Sequence, residues 1–144
     1  MTPSSLTQAK SAGRTILVVD DEPGILNFVR RVLEHGNYTV VTSRSGDHAW
    51  GVFERGQPKI DLVLTDIVMP GSINGLTLAG KIRQRDRKRP VLFMTGALPE
   101  NDEYAAELTR KRLLLRKPFS PKGLIEFIDS HFWESESGAA ETPA

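Results

Sequence analysis

The chain has 144 residues, 39% of them hydrophobic and 26% charged, which fits one soluble globular domain able to bury its own core without staples. It holds no Cys, so a disulfide framework and a thiolate metal site are both excluded. Its 19 basic and 18 acidic residues leave a net charge of +1, no general attraction to nucleic acid. No apolar run approaches the ~20 residues that span a bilayer and no apolar leader opens the chain, so a cytoplasmic protein is expected.

Met1 to Gly13 is small and polar and reads as a flexible lead. Thr15 to Val19 is a first strand ending in Asp20-Asp21-Glu22-Pro23. Ile25, Phe28, Val29, Val32 and Leu33 then recur at helical spacing until Gly36. Tyr38 to Thr42 is a second strand, and Gly46 to Arg55 a second helix with Ala49, Trp50 and Phe53 on one side. The third strand runs from Leu62 into Asp66, followed by the Gly-rich loop Pro70 to Gly75 and a helix with Leu76, Ala79 and Ile82. The fourth strand, Val91 to Met94, closes on Thr95-Gly96, and Glu100 to Arg110 is a charged helix with Tyr104, Ala105 and Leu108 as its expected inner face. The fifth strand, Leu113 to Arg116, closes on Lys117-Pro118-Phe119. Ser120 caps a last helix with Pro121 at its first position and Leu124, Phe127, Ile128 and Phe132 along it. The small, polar tail, 134–144, is expected to be disordered and too short to fold a DNA-binding module.

Four apolar strands therefore end in Asp20, Asp66, Thr95 and Lys117. Near-continuous apolar runs suit parallel strands covered on both faces, and strands alternating with helices predict a doubly wound five-stranded parallel sheet of flavodoxin type, order 2-1-3-4-5, with helices on both faces. Open parallel sheets place their chemistry outside the carboxyl ends of their strands, so those side chains meet in one crevice. Asp20, Asp21 and Asp66 cannot crowd together ionised without a cation, since two like charges ~4 Å apart repel by about 4 kcal/mol at an effective dielectric near 20. Oxygen ligands with no His or Cys beside them favour a hard ion, Mg²⁺ first and Mn²⁺ second. Ion, Lys117 ammonium and Thr95 hydroxyl together make a receptor for a phosphoryl group, with Asp66 as the nucleophile that becomes an aspartyl phosphate.

On Asp20-Asp21, Asp66 with Met69-Pro70, Thr95-Gly96 and Lys117-Pro118-Phe119, the chain resembles the receiver domain of two-component response regulators, with the receiver domain expected over residues 14–133. The resemblance implies that Asp66 takes phosphate from the histidine of a partner kinase or histidine phosphotransfer protein. It implies that Asp21, Asp66 and the Val68 carbonyl hold the ion, with Asp20 acting through water, that Thr95 follows the phosphoryl group, and that Lys117 binds one of its oxygens. A cis bond between Lys117 and Pro118 is implied too. The partner face would be the fourth helix, fifth strand and fifth helix, with Tyr104, Glu107, Arg110 and Arg112 on it, and the effector is unidentified. Such a chain is a phosphorylation-controlled regulatory module, a monomer or weak dimer, and catalyses only its own phosphorylation and slow dephosphorylation.

Three departures from the receiver pattern stand out. Leu114 occupies the place, three before Lys117, where receivers often carry a switch aromatic. Val68 and Ala97, two past Asp66 and two past Thr95, replace polar side chains that influence the attacking water, so slow loss of phosphate is expected. The Pro70 to Gly75 loop is one residue longer than the commonest form, similar to receivers attached to hybrid sensor kinases.

Two other functions compete. A haloacid-dehalogenase-type phosphatase also uses a strand-end Asp, a Lys and Mg²⁺, but wants Asp-x-Asp where this chain has Asp20-Asp21-Glu22. A pseudo-receiver scaffold would bind partners without phosphate, although every acceptor-site residue type is present. His35, His48 and His131 are scattered over three helices and support neither a His metal site nor a phosphohistidine relay. The run Arg83, Arg85, Arg87, Lys88, Arg89 precedes the fourth strand, about 17 Å from Asp66 for a five-residue strand, and reads as a solvated basic turn first and a dock for an acidic partner second. Trp50 and Trp133 are expected to pack rather than stack on a ligand.

Overall fold

The structure, a computed structural model, describes residues 13–96, 98 and 101–133. The expected disordered tail, Ala97, and all of the expected lead but Gly13 lie outside the described residues. Five strands, β1 (Thr15–Val19), β2 (Thr39–Ser43), β3 (Leu62–Asp66), β4 (Val91–Thr95) and β5 (Leu114–Arg116), form one parallel sheet in the order β2-β1-β3-β4-β5. They alternate with α1 (Pro23–His35), α2 (Gly46–Arg55), α3 (Gly75–Arg85), α4 (Glu103–Arg110) and α5 (Pro121–Trp133).

The continuous apolar runs have the expected cause: every residue of β3 and β4 is buried, because helices cover both faces of the sheet. Alternation along each strand divides the core in two. Leu17, Val19, Val63, Val91 and Phe93 face α2, α3 and α4 through Ala49, Val52, Leu78, Ile82, Ala105 and Leu108. Ile16, Val18, Leu62, Leu64, Leu92 and Met94 face α1 and α5 through Leu26, Val29, Leu33, Leu124, Ile128 and Phe132.

Short polar side chains start four of the helices. Ser45 Oγ accepts from the His48 N–H at 3.1 Å, Asn74 Oδ1 from Thr77 at 2.9 Å, Asp102 Oδ1 from Ala105 at 2.9 Å and Ser120 Oγ from Gly123 at 3.0 Å. The Asp102 cap corrects the expected start of α4 at Glu100, since a β-region residue at 102 cannot lie inside a helix. Tyr104 is also corrected: only Ala105 and Leu108 of that helix are buried, and Tyr104 is 47% exposed. With eight residues α4 has room for one narrow apolar stripe, and two small or aliphatic side chains fill it. Trp50 is half-buried in the first core cluster, against Phe53, with the Lys81 ammonium 4.8 Å from its ring.

Candidate functional site

The register of the sheet assembles the site. Val19 pairs with Thr65, so the next residues, Asp20 and Asp66, emerge side by side from β1 and β3. Asp66 pairs with Met94, one short of Thr95, and Thr95 with Arg116, one short of Lys117. Backbone bonds carry the pattern past the strand ends, from Asp20 N–H to the Ser43 carbonyl at 3.1 Å and from Lys117 N–H to the Thr95 carbonyl at 2.8 Å. The Lys117 to Pro118 peptide is cis, as the resemblance implied.

Lys117 is the hub. Its Nζ donates to Asp20 Oδ2 at 2.7 Å and to Asp66 Oδ2 at 3.2 Å, with the exposed Glu22 carboxylate at 4.0 Å. The other Asp20 oxygen accepts the Glu22 N–H at 2.9 Å, and the other Asp66 oxygen the Val68 N–H at 3.3 Å. Asp20 and Thr95 are fully buried and Asp66 nearly so. Asp20, Asp21 and Asp66 each offer a carboxylate oxygen within 4.8 Å of the others, so the acidic trio inferred from the strand ends does converge.

The electrostatics follow from this crowding. Burial, then the charge of Asp20, push the Asp66 carboxyl above the usual carboxylate range, and Lys117 and the Val68 N–H offset only part of the rise. For Lys117, burial works against the ammonium, but the hydrogen bond and charge of Asp20, with Asp66 behind them, outweigh it and raise its pKa. Because folded Asp66 holds its proton more tightly than the unfolded chain does, its favourable term is complete below the ordinary value of 3.8. That term is lost as pH rises through the raised folded value. In metal-free buffer Asp66→Asn should therefore be more stable than the parent at pH 7, with the gap closing below pH ~4. Urea unfolding at both pH values checks this, and a gap independent of pH would contradict it.

The loop after Asp66 is pinned by contacts that carried no sequence signal beyond its glycines. Ser72 Oγ donates to Asp47 at 3.0 Å, tying the loop to α2, and the Gly75 N–H donates to the Ile67 carbonyl at 3.0 Å. A Cβ on Gly75 would stand 2.1 Å from the Asp66 carbonyl oxygen, and one on Gly46 the same distance from the Ile73 carbonyl oxygen. Arg116 likewise reaches the loop beyond Thr95, donating to the Leu98 carbonyl at 2.9 Å.

Apart from Val68, the remaining candidates lie outside this cluster. Val68 is 51% exposed beside Asp66. Tyr104, Arg110 and Arg112 are exposed and Glu107 half-buried in ion pairs with Arg110 and Lys111. Leu114, at the place where receivers often carry a switch aromatic, is core. His35, His48 and His131 stay on separate helices, and His48 Nδ1 meets Ser43 Oγ at 2.7 Å.

A doubly wound α/β module binds its ligands outside the carboxyl ends of its strands, which is where this chain gathers its lysine-bridged carboxylates. The family model of the response regulator receiver domain matches residues 16–129, and the chain belongs to that family. It is 31% identical over 126 residues to the alkaline phosphatase synthesis transcriptional regulatory protein PhoP of Bacillus subtilis, covering 88% of this chain and 51% of that protein. It is 29% identical over 115 residues to the response regulator SaeR of Staphylococcus aureus, covering 80% and 49%. The chain thus spans about half the length of the curated relatives it matches. Among solved structures, a response regulator receiver domain protein from Clostridium thermocellum superposes with a TM-score of 0.72 at 28% identity, covering 85% of this chain and 97% of that one. The receiver domain of the hybrid histidine kinase CckA gives a TM-score of 0.66 at 30% identity, covering 82% and 98%. Membership carries a phosphoacceptor signalling role in a two-component system.

Proposed function

We propose that Asp66 is the phosphoacceptor, loaded by the phosphohistidine of a kinase or phosphotransfer protein in a Mg²⁺-dependent reaction, and that its phosphorylation changes partner binding. The single observation that supports this reading most is the Lys117 ammonium held against Asp66 and Asp20 at the ends of neighbouring strands. An Asp66 oxygen forms the new P–O bond while the P–N bond breaks and its electron pair returns to the imidazole. Lys117 can leave its hydrogen bond to Asp66 for a phosphoryl oxygen without losing Asp20, so it positions the incoming group and neutralises its charge. Thr95, at the end of β4 beside β3, is assigned the hydroxyl that follows the phosphoryl group.

The donor set fits Mg²⁺: three carboxylates within 4.8 Å of one another and no nitrogen or sulfur ligand among them. Asp21, Asp66 and the Val68 carbonyl would hold it, with Asp20 acting through water. Bound there, the ion would supply positive charge to the phosphoryl oxygens.

Intact mass after acetyl phosphate, with and without Mg²⁺, tests the reading. One Mg²⁺-dependent adduct is expected on the parent and none on Asp66→Ala; an adduct retained in the variant, or turnover of a simple phosphate ester, would overturn it. The exposed, apolar Val68 cannot orient a water for in-line attack, so the phosphorylated form should be long-lived. Val68→Asn combined with Ala97→Glu is expected to shorten its lifetime at least about tenfold, below the roughly 10²–10⁴-fold that a fully positioned proton-transfer group supplies. An equal decay rate in parent and variant would remove that explanation.

A further inference from the structure

The basic run that the phosphoacceptor reading leaves unused, Arg83 to Arg89, ends at a cavity of about 150 Å³. It lies at the amino-terminal end of the sheet, between the start of β3 at Asp61 and Leu62, the turn Lys88-Arg89-Pro90, Arg14 ahead of β1 and His131 of α5. At ~30 Å³ per water, that is room for roughly five waters, or for one or two linked phosphoryl groups. Four of its lining residues carry basic side chains and one, Asp61, an acidic one, and Asp61 Oδ2 already accepts the Thr15 N–H at 2.7 Å. Arg89 gives one Nη to Asp86 at 2.7 Å, while its buried Nε meets no acceptor among the described residues. Lys88 is exposed at the rim, its backbone N–H donated to Asp86 Oδ1 at 3.0 Å, which fixes the turn that presents both side chains.

We propose that this cavity is an oxyanion site for a small phosphate-type anion, held by charge-assisted bonds from Lys88 and Arg89 with Arg14 adding positive charge. Five residues of β-strand, about 17 Å, separate Asp61 from Asp66, so occupancy here is independent of the acidic crevice.

The ¹⁵N-labelled full chain, titrated with pyrophosphate in metal-free buffer against sodium chloride at matched ionic strength, tests it. Saturable amide shifts are expected at Thr15, Leu62, Lys88, Arg89 and His131 with pyrophosphate only, and none around Asp66. Arg89→Gln with Lys88→Gln should weaken the affinity at least about tenfold, the scale of a lost hydrogen bond to a charged group. Because Arg89 also holds Asp86, the exposed Lys88→Gln alone is the second variant, with an unchanged melting temperature and an affinity at least about threefold weaker. An equal response to chloride, shifts centred on Lys117, or unaltered affinity in Lys88→Gln would each overturn the site.

Discussion

Gly75→Ala is expected to cost about 3 kcal/mol of stability, at the upper end of overpacking penalties, and to lower the melting temperature by roughly 10 °C. The added Cβ would lie 2.1 Å from the Asp66 carbonyl oxygen and 2.9 Å from the Ile67 Cα, both backbone atoms that no rotamer change can move aside. Relief therefore requires the end of β3 or the start of α3 to shift, and Asp66 moves with it, so acetyl phosphate labelling should fall along with stability. Gly80, in the same helix, has nothing within 4 Å of its would-be Cβ. Gly80→Ala should accordingly gain about 0.5–1 kcal/mol from helix propensity. Denaturant unfolding of the two variants gives the comparison, and equal stabilities would mean that the helix start yields without strain.

Lys117→Met should destabilise the metal-free protein at pH 7 by about 3 kcal/mol, the scale of removing one partner from a buried ion pair. Asp20 is fully buried and Asp66 nearly so, and the substitution leaves their charges facing each other with no ammonium between them. The loss should shrink when Mg²⁺ is added, because a cation bound by the acidic trio replaces the missing charge and ligand binding stabilises the folded state. Phosphorylation by acetyl phosphate should slow about 10²-fold, the effect of losing one preorganised donor to a developing anion. Thermal unfolding with and without Mg²⁺, followed by labelling rates, checks both halves. A variant as stable as the parent without metal would show that the carboxylates escape each other in another way.

Much of this molecule was legible before any coordinates. Strands buried on both faces have to be written as unbroken apolar runs, so β1, β3 and β4 announced themselves, and the polar residue closing each run marked the end of the sheet where chemistry sits. Caps were readable for the same local reason: Ser120 before Pro121 has one economical use, and its hydroxyl accepts the Gly123 N–H. Residue types at strand ends thus led to the expectation that two aspartates, a threonine and a lysine share one crevice, and of these Asp20, Asp66 and Lys117 are in contact.

Which of them touch was decided only in three dimensions, because register relates segments that lie far apart along the chain. The pairing of Val19 with Thr65 sets Asp20 beside Asp66, and Lys117 bonds Asp20 more closely than Asp66. The close approach of Gly75 to the Asp66 carbonyl, the Ser72 tether to Asp47 and the outward Tyr104 likewise depend on how α2, α3 and α4 settle on the sheet. Local pattern can state that a helix has an apolar side, but the neighbour's shape determines which side chains fit beneath it.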